Sequence, residues 1–379
     1  MPGYELIGKQ ERAAINEIFD KKDLFYNGIR VKKFEKKFAN YVGVKYAVAV
    51  SSGTAAIKTA LIAAGIKKGD EVITQAFTFV ATVEAIVDIE AIPIIVNINE
   101  TLNMCPEELE RKITKKTKAI IPVHMLGVST EVDKITSIAK KNKIVVIDDN
   151  CESLGAKWGK KKLGSQADVC TWSFDTGKTI TTGEGGMITT NNKEIYKLAR
   201  EYKDHGHENN LRFPRGRDTR RIYGFNFRTT ELNAALGLSQ LKKLTTIIKN
   251  NKRNYNIIYN KIKNIRKIKF RKIPNKCSPI YDCLIFRVNS KKIAKKFTRL
   301  MMKNGLKTKN LPDAIEWHFA KHWIHIFKKF KINKNELKRM FANSSEILES
   351  SVAIPISSKK NDIEVKKISN KIYQIAKKL

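Results

Sequence analysis

Between about Val48 and Thr190, short runs rich in β-branched residues alternate with stretches whose apolar residues recur at helical spacing. The strand-like runs are Ala47–Val50, Glu71–Thr74, Ile92–Val96, Ala119–Val123, Ile144–Ile147, Val169–Phe174 and Gly186–Thr189. Helix-like stretches between them include Thr54–Ala64, Phe79–Ile89 and Glu131–Lys141. This alternation predicts an α/β fold with a mainly parallel sheet flanked by helices on both faces. Ligands in such sheets bind outside the carboxyl ends of the strands, so chemistry is expected in the loops that follow them.

A charged, turn-rich loop from His205 to Arg221 precedes a long helical stretch, Thr230 through Lys261. Beyond it lysine rises, glycine thins, and strand-like Tyr281–Val288 is followed by helix-like Ser290–Asn304. The chain of 379 residues is long enough for two domains. We read a large domain over 1–245, including an N-terminal segment, and a smaller C-terminal α/β domain over 246–379.

The formal charge of +36 would attract any polyanion. The excess is mostly lysine scattered along the chain, with no zinc-finger or aromatic RNA-binding signature, so no nucleic-acid partner is expected. The N-terminus lacks a basic stretch followed by an apolar run, and no apolar run reaches membrane-spanning length. The expectation is a soluble, cytoplasmic protein with no membrane partner. Five cysteines without a Cys-x-x-Cys pair indicate neither a disulfide framework nor a metal site.

Three motifs carry chemistry. Ser51-Ser52-Gly53-Thr54-Ala55-Ala56 follows a strand and opens a helix, where first-turn amides and a hydroxyl can hold a phosphate or simply cap the helix. Ile147-Asp148-Asp149-Asn150-Cys151-Glu152 puts carboxylates at a strand end, suited to cofactor pairing, capping or, least well without a nearby histidine, metal binding. In Ser173-Phe174-Asp175-Thr176-Gly177-Lys178 a strand ends in serine and a lysine follows five residues on, before the glycine-rich Gly183-Glu184-Gly185-Gly186. A lysine becomes a nucleophile only with help from its surroundings, and an imine to a cofactor aldehyde is one such use. On composition alone Lys178 would be one surface lysine among many.

Together the motifs resemble the DegT/DnrJ/EryC1/StrS family of pyridoxal-phosphate-dependent sugar aminotransferases, of fold type I. The resemblance runs from about Tyr26 through Leu244. It includes Phe38-Ala39-Asn40-Tyr41-Val42-Gly43, Gly69-Asp70-Glu71-Val72-Ile73, Phe77-Thr78-Phe79-Val80-Ala81-Thr82, Thr117 through His124 and Asn226-Phe227-Arg228. By this resemblance Lys178 holds pyridoxal 5'-phosphate as a Schiff base and moves the substrate proton. Asp149 pairs with the pyridine nitrogen. Gly53, Thr54 and Ser173 bind the phosphate, and Phe79 stacks on the ring. Asn226 reaches the cofactor of the neighbouring subunit, which implies a homodimer with shared sites. Glu152 stands beside the ring where the family mostly has Gln or His.

The implied partners are an amino-acid donor, glutamate by resemblance, and a small-molecule keto-sugar of surface polysaccharide or lipopolysaccharide synthesis. Arg228 suits a substrate carboxylate because a guanidinium binds one bidentately, and it suits a structural role equally. His318, in Leu311 through His318, lies where the family places sugar-recognising residues, while Phe319, Trp323 and Phe327 at helical spacing read as core. Asp204-His205-Gly206-His207 is not expected to hold metal.

Met1 through Leu6, Met104-Cys105-Pro106-Glu107 and the segment from Asp204 to Arg215-Gly216 are similar to the branch that aminates 3-deoxy-octulosonic acid at carbon 8. A cationic pocket containing Arg215, Arg217 or Arg228 would suit that acid, and a nucleotide-linked 4-keto-6-deoxyhexose is the alternative acceptor. Asp149-Asn150-Cys151 is also similar to sugar 3-dehydrases, but Lys178 and the scattered cysteines speak against that chemistry. A non-catalytic regulator on the same fold would have no chemical need for Lys178.

Overall fold

The computed structural model describes residues 3–21, 28–210 and 212–378. Met1, Pro2 and Tyr26, quoted above, lie outside the described residues. Seven strands form the main sheet: β1 (Tyr46–Val50), β2 (Glu71–Gln75), β3 (Ile92–Val96), β4 (Thr117–Ile121), β5 (Val145–Asp149), β6 (Val169–Ser173) and β7 (Gly186–Thr190). Their order is β1-β7-β6-β5-β4-β2-β3. Strand β7 runs antiparallel to both neighbours, and the other pairings are parallel.

The two-residue period of a strand explains the layers. In β1, Val48 and Val50 pack with Ile57 and Leu61 of the helix Gly53–Ala63, while Ala47 and Ala49 face Phe34, Phe38 and Trp172 on the other side. Both faces are covered, so the strands read as nearly continuous apolar runs. Gly237 permits the close packing of the helix Glu231–Ile262 on Ile29–Val42, since a Cβ there would lie 2.5 Å from the Phe34 ring. The Glu231 carboxylate accepts from the amides of Arg30 and Val31 at 2.8 and 2.9 Å, satisfying donors that a helix start leaves free.

The helix Glu231–Ile262 passes residue 246 without a break and carries the chain to a second core. There Ile258, Leu284, Phe286, Phe297, Val352, Ile354 and Ile372 pack around an antiparallel sheet of Lys269–Phe270, Cys283–Arg287 and Ser351–Pro355. Phe319, Trp323 and Phe327 are buried, as their spacing predicts. Among the described residues no helix is long and apolar enough to cross a membrane.

Because β7 returns antiparallel between β6 and β1, those two strands run parallel to each other. The carboxyl ends of β1, β5 and β6 therefore open on one edge of the sheet. Gly186 allows that arrangement: a Cβ there would lie 2.2 Å from the carbonyl oxygen of Ser52.

Candidate active site

A cavity of about 420 Å³ opens at this edge. Gly53, Thr54, Phe79, Asp149, Glu152, Ser173, Lys178 and His318 all line it. The motifs thus meet in space although they lie far apart in sequence.

The phosphate-like corner is built by the start of the helix Gly53–Ala63. Ser52 caps it, its Oγ accepting from the Ala55 amide at 3.0 Å. A Cβ on Gly53 would sit 2.8 Å from Ser173 Cβ, so the absence of a side chain keeps space at the positive helix end. Ser173 Oγ accepts from the Asp175 amide at 3.4 Å, leaving its proton for a ligand.

Asp149 ends β5 and is 3% exposed. Thr82 donates to its Oδ2 at 3.0 Å and the Cys151 amide to its Oδ1 at 3.1 Å. Thr78, 2.8 Å from Thr82, extends the chain of hydroxyls. These bonds hold a buried carboxylate in one orientation toward the cavity. Phe79 lies on the wall, its ring 5.4 Å from His318 and stacked at 6.4 Å on Trp317.

Lys178 is presented by a tight turn. Asp175 accepts from the Gly177 amide at 2.8 Å and from the Lys178 amide at 3.0 Å, and Gly3 donates to the Lys178 carbonyl at 2.9 Å. The Lys178 amine lies 3.6 Å from Glu152 Oε1. Burial works against the ammonium, yet Glu152, Cys151 and Asp149 outweigh it and raise the lysine above its ordinary value. Burial likewise opposes the Glu152 charge, but Lys178, His318 and Lys309 together pull the carboxyl down to about 2. The Leu126 amide fixes Glu152 Oε2 at 3.0 Å. Burial lowers His318, whose Nδ1 sits 2.8 Å from the Ala314 carbonyl oxygen.

Asn226, Arg215 and Arg228 lie away from this cavity. Arg215 and Arg228 both bond Asp204 Oδ1 at 2.7 Å, and Asn226 pairs with Asp204 through the backbone. None of Arg215, Arg217 or Arg228, the candidates for a cationic pocket, lines this chain's own cavity. His207 faces Asp218 at 3.5 Å, and no metal-holding cluster occurs among the described residues. Sequence reasoning missed Asp282, Lys309 and Asn310 on the wall, since only the fold joins them to Lys178. Thr82 was visible within the Phe77–Thr82 motif, but its bond to Asp149 was not.

The cradle at Gly53 and Ser173, the anchored acid and the buried lysine fit pyridoxal phosphate, which when bound supplies an aldehyde that condenses with amines and a ring that accepts electrons. Lys178 would be the amine that holds it. Asp149 would be the carboxylate that keeps a proton on the ring nitrogen. The fold and the site define a pyridoxal-phosphate-dependent aminotransferase of fold type I.

The chain belongs to the DegT/DnrJ/EryC1/StrS aminotransferase family, whose model matches residues 5–373. It is 40% identical over 264 residues to a GDP-perosamine synthase of Escherichia coli O157:H7, covering 69% of this chain and 71% of that protein. It is 31% identical to the spore coat polysaccharide biosynthesis protein SpsC of Bacillus subtilis, covering 98% and 96%. In structure it is similar to PseC of Helicobacter pylori, an aminotransferase involved in the biosynthesis of pseudoaminic acid, with a TM-score of 0.88, 24% identity and 98% of each chain covered. The protein is accordingly a sugar aminotransferase that uses pyridoxal phosphate.

Proposed function

We propose that this chain moves the amino group of glutamate to a keto-sugar bound for surface polysaccharide or lipopolysaccharide, with 8-oxo-3-deoxy-octulosonate the preferred acceptor. The observation that carries the reading is the buried Lys178 amine in one cavity with Asp149, Glu152 and the Gly53–Ser173 cradle. Lys178 would move the proton between the substrate carbon and the cofactor carbon, and Glu152 would stabilise the amine while it carries that proton. The similarity of Met104 through Glu107 and of Asp204 through Gly216 to the octulosonate branch supports the acceptor. The GDP-perosamine synthase relative favours a second reading, a nucleotide-linked 4-keto-6-deoxyhexose.

The enzyme is read as a cytoplasmic homodimer. Five unpaired cysteines suit a reducing compartment. Exposed Tyr223 and Phe225 beside Asn226 support a shared site, in which Asn226 serves the partner's cofactor and Arg215 and Arg228 line the partner's substrate path.

Offering each acceptor to the glutamate-treated enzyme and weighing the product by mass spectrometry tests the acceptor. An aminated octulosonate is expected. Amination of the nucleotide-linked hexose alone would reject that preference, and no product from any keto-sugar would reject the reading as a whole.

A further inference from the structure

Arg271, which directly follows the strand Lys269–Phe270, is the one buried arginine among the described residues. Burial is the chief influence on its guanidinium and lowers it to about 10. Asp282, the carboxylate that bears on it, is committed to Lys309. The acceptors that Arg271 meets are uncharged. Its Nε donates to the Thr101 carbonyl at 2.6 Å, Nη2 to Asn103 Oδ1 at 3.4 Å and Nη1 to the Leu126 carbonyl at 3.5 Å. Burying a cation against neutral groups costs stability. What these bonds do is brace a turn.

That turn, Met125–Gly127, has two successive left-handed residues, Leu126 at φ 49° and Gly127 at φ 74°. Glycine enters this region freely, whereas leucine stays there only where its surroundings impose it. Asn103, fully buried, brackets the turn from both ends: its Oδ1 accepts from the Met125 amide at 3.1 Å and its Nδ2 donates to the Val128 carbonyl at 2.9 Å. Arg271 holds both the middle of the turn, at Leu126, and Asn103 itself. The bracing delivers the Leu126 amide, which donates to Glu152 Oε2 at 3.0 Å. The other oxygen, Glu152 Oε1, lies 3.6 Å from the Lys178 amine.

With that amide in place the carboxylate has one position; without it, Glu152 is free to change rotamer and leave Lys178. We infer that Arg271 and Asn103 are positioning residues that hold the Leu126 turn and, through its amide, keep the Glu152 carboxylate beside the Lys178 amine. The inference rests on Lys178 as the amine that holds the cofactor, and it deepens that reading.

The test follows, against pH, the rate at which cofactor-free protein takes up pyridoxal phosphate, in wild type, Arg271→Met, Glu152→Gln and the double variant. Lys178 faces Glu152, Cys151 and Asp149, which raise it, and Lys309 and His318, which share its sign of charge. Of these, Glu152 is the one bonded to the turn. Arg271→Met should therefore move the midpoint to lower pH by at least about half a unit, about a threefold change in the ratio of amine to ammonium. Loss of the cation by itself would act in the opposite direction, since removing a positive charge favours the ammonium. In the double variant the midpoint should fall no further than in Glu152→Gln, because the turn then has no carboxylate to place.

Asn103→Ser removes both bonds to the ends of the turn without removing a charge, and carries the test if Arg271→Met does not fold. The same downward shift is expected of it. An unmoved or raised midpoint in the folded variant, or a fall that adds in full to that of Glu152→Gln, would overturn the inference. Borohydride reduction of wild type with pyridoxal phosphate separates this from the reading beneath it. A label away from Lys178 would overturn both, whereas a label on Lys178 with no downward shift would overturn the positioning role alone.

Discussion

At the scale of single residues, the account turns on charges brought together in a cavity. Glu152 raises Lys178, so Glu152→Gln should lower the lysine and leave more neutral amine at any given pH. The rate at which cofactor-free protein takes up pyridoxal phosphate should then reach its midpoint at lower pH; an unmoved midpoint would show that Glu152 does not control the amine. The same carboxylate, held at about 2, contributes stability that is complete above its ordinary value of 4.5 and lost as pH falls toward 2. The melting-temperature gap between wild type and Glu152→Gln, without cofactor, should therefore close across that window. Asp149→Asn should cut turnover by about 10²–10³-fold, the scale of losing one key electrostatic group, with little change in melting temperature. Near-normal turnover would show that another group serves the ring nitrogen.

At the scale of elements, the site depends on how closely a helix start approaches a strand end. Gly53→Ala places a methyl group 2.8 Å from Ser173 Cβ and should cost about 1–3 kcal/mol of stability. Cofactor affinity, followed by titration, should fall at least about tenfold, equivalent to about 1.4 kcal/mol; unchanged affinity would remove this corner as the phosphate cradle. All seven main strands were legible in the sequence because burial on both faces leaves continuous apolar runs, and their bounds differ from the expected ones by a few residues at most. The antiparallel course of β7 was less legible, since strand direction is set by pairing across the sheet. The short strands Lys157–Trp158, Lys161–Lys162 and Cys277–Ser278 passed unseen because two residues carry no period. Phe79–Ile89 begins its helix only at Ala81, after Phe79 has been spent on the cavity wall.

At the scale of the whole molecule, two segments complete what neither does alone. The large sheet supplies Asp149, Ser173 and Lys178, and the C-terminal segment supplies Asp282, Lys309 and His318. The first set was legible from local motifs; the second was legible only at His318, because Lys309 is one lysine among many until the fold buries it. Asn226 lies outside this chain's cavity, so Lys178→Ala and Asn226→Ala subunits, each nearly inactive, should regain activity when mixed and allowed to exchange. Mixed dimers that form and gain nothing would refute a shared site. The central claim, that Lys178 holds the cofactor, is tested most directly by borohydride reduction of the purified protein with pyridoxal phosphate, followed by peptide mapping. The account predicts a pyridoxyl group on Lys178. A label on another lysine, or none despite bound cofactor, would contradict it.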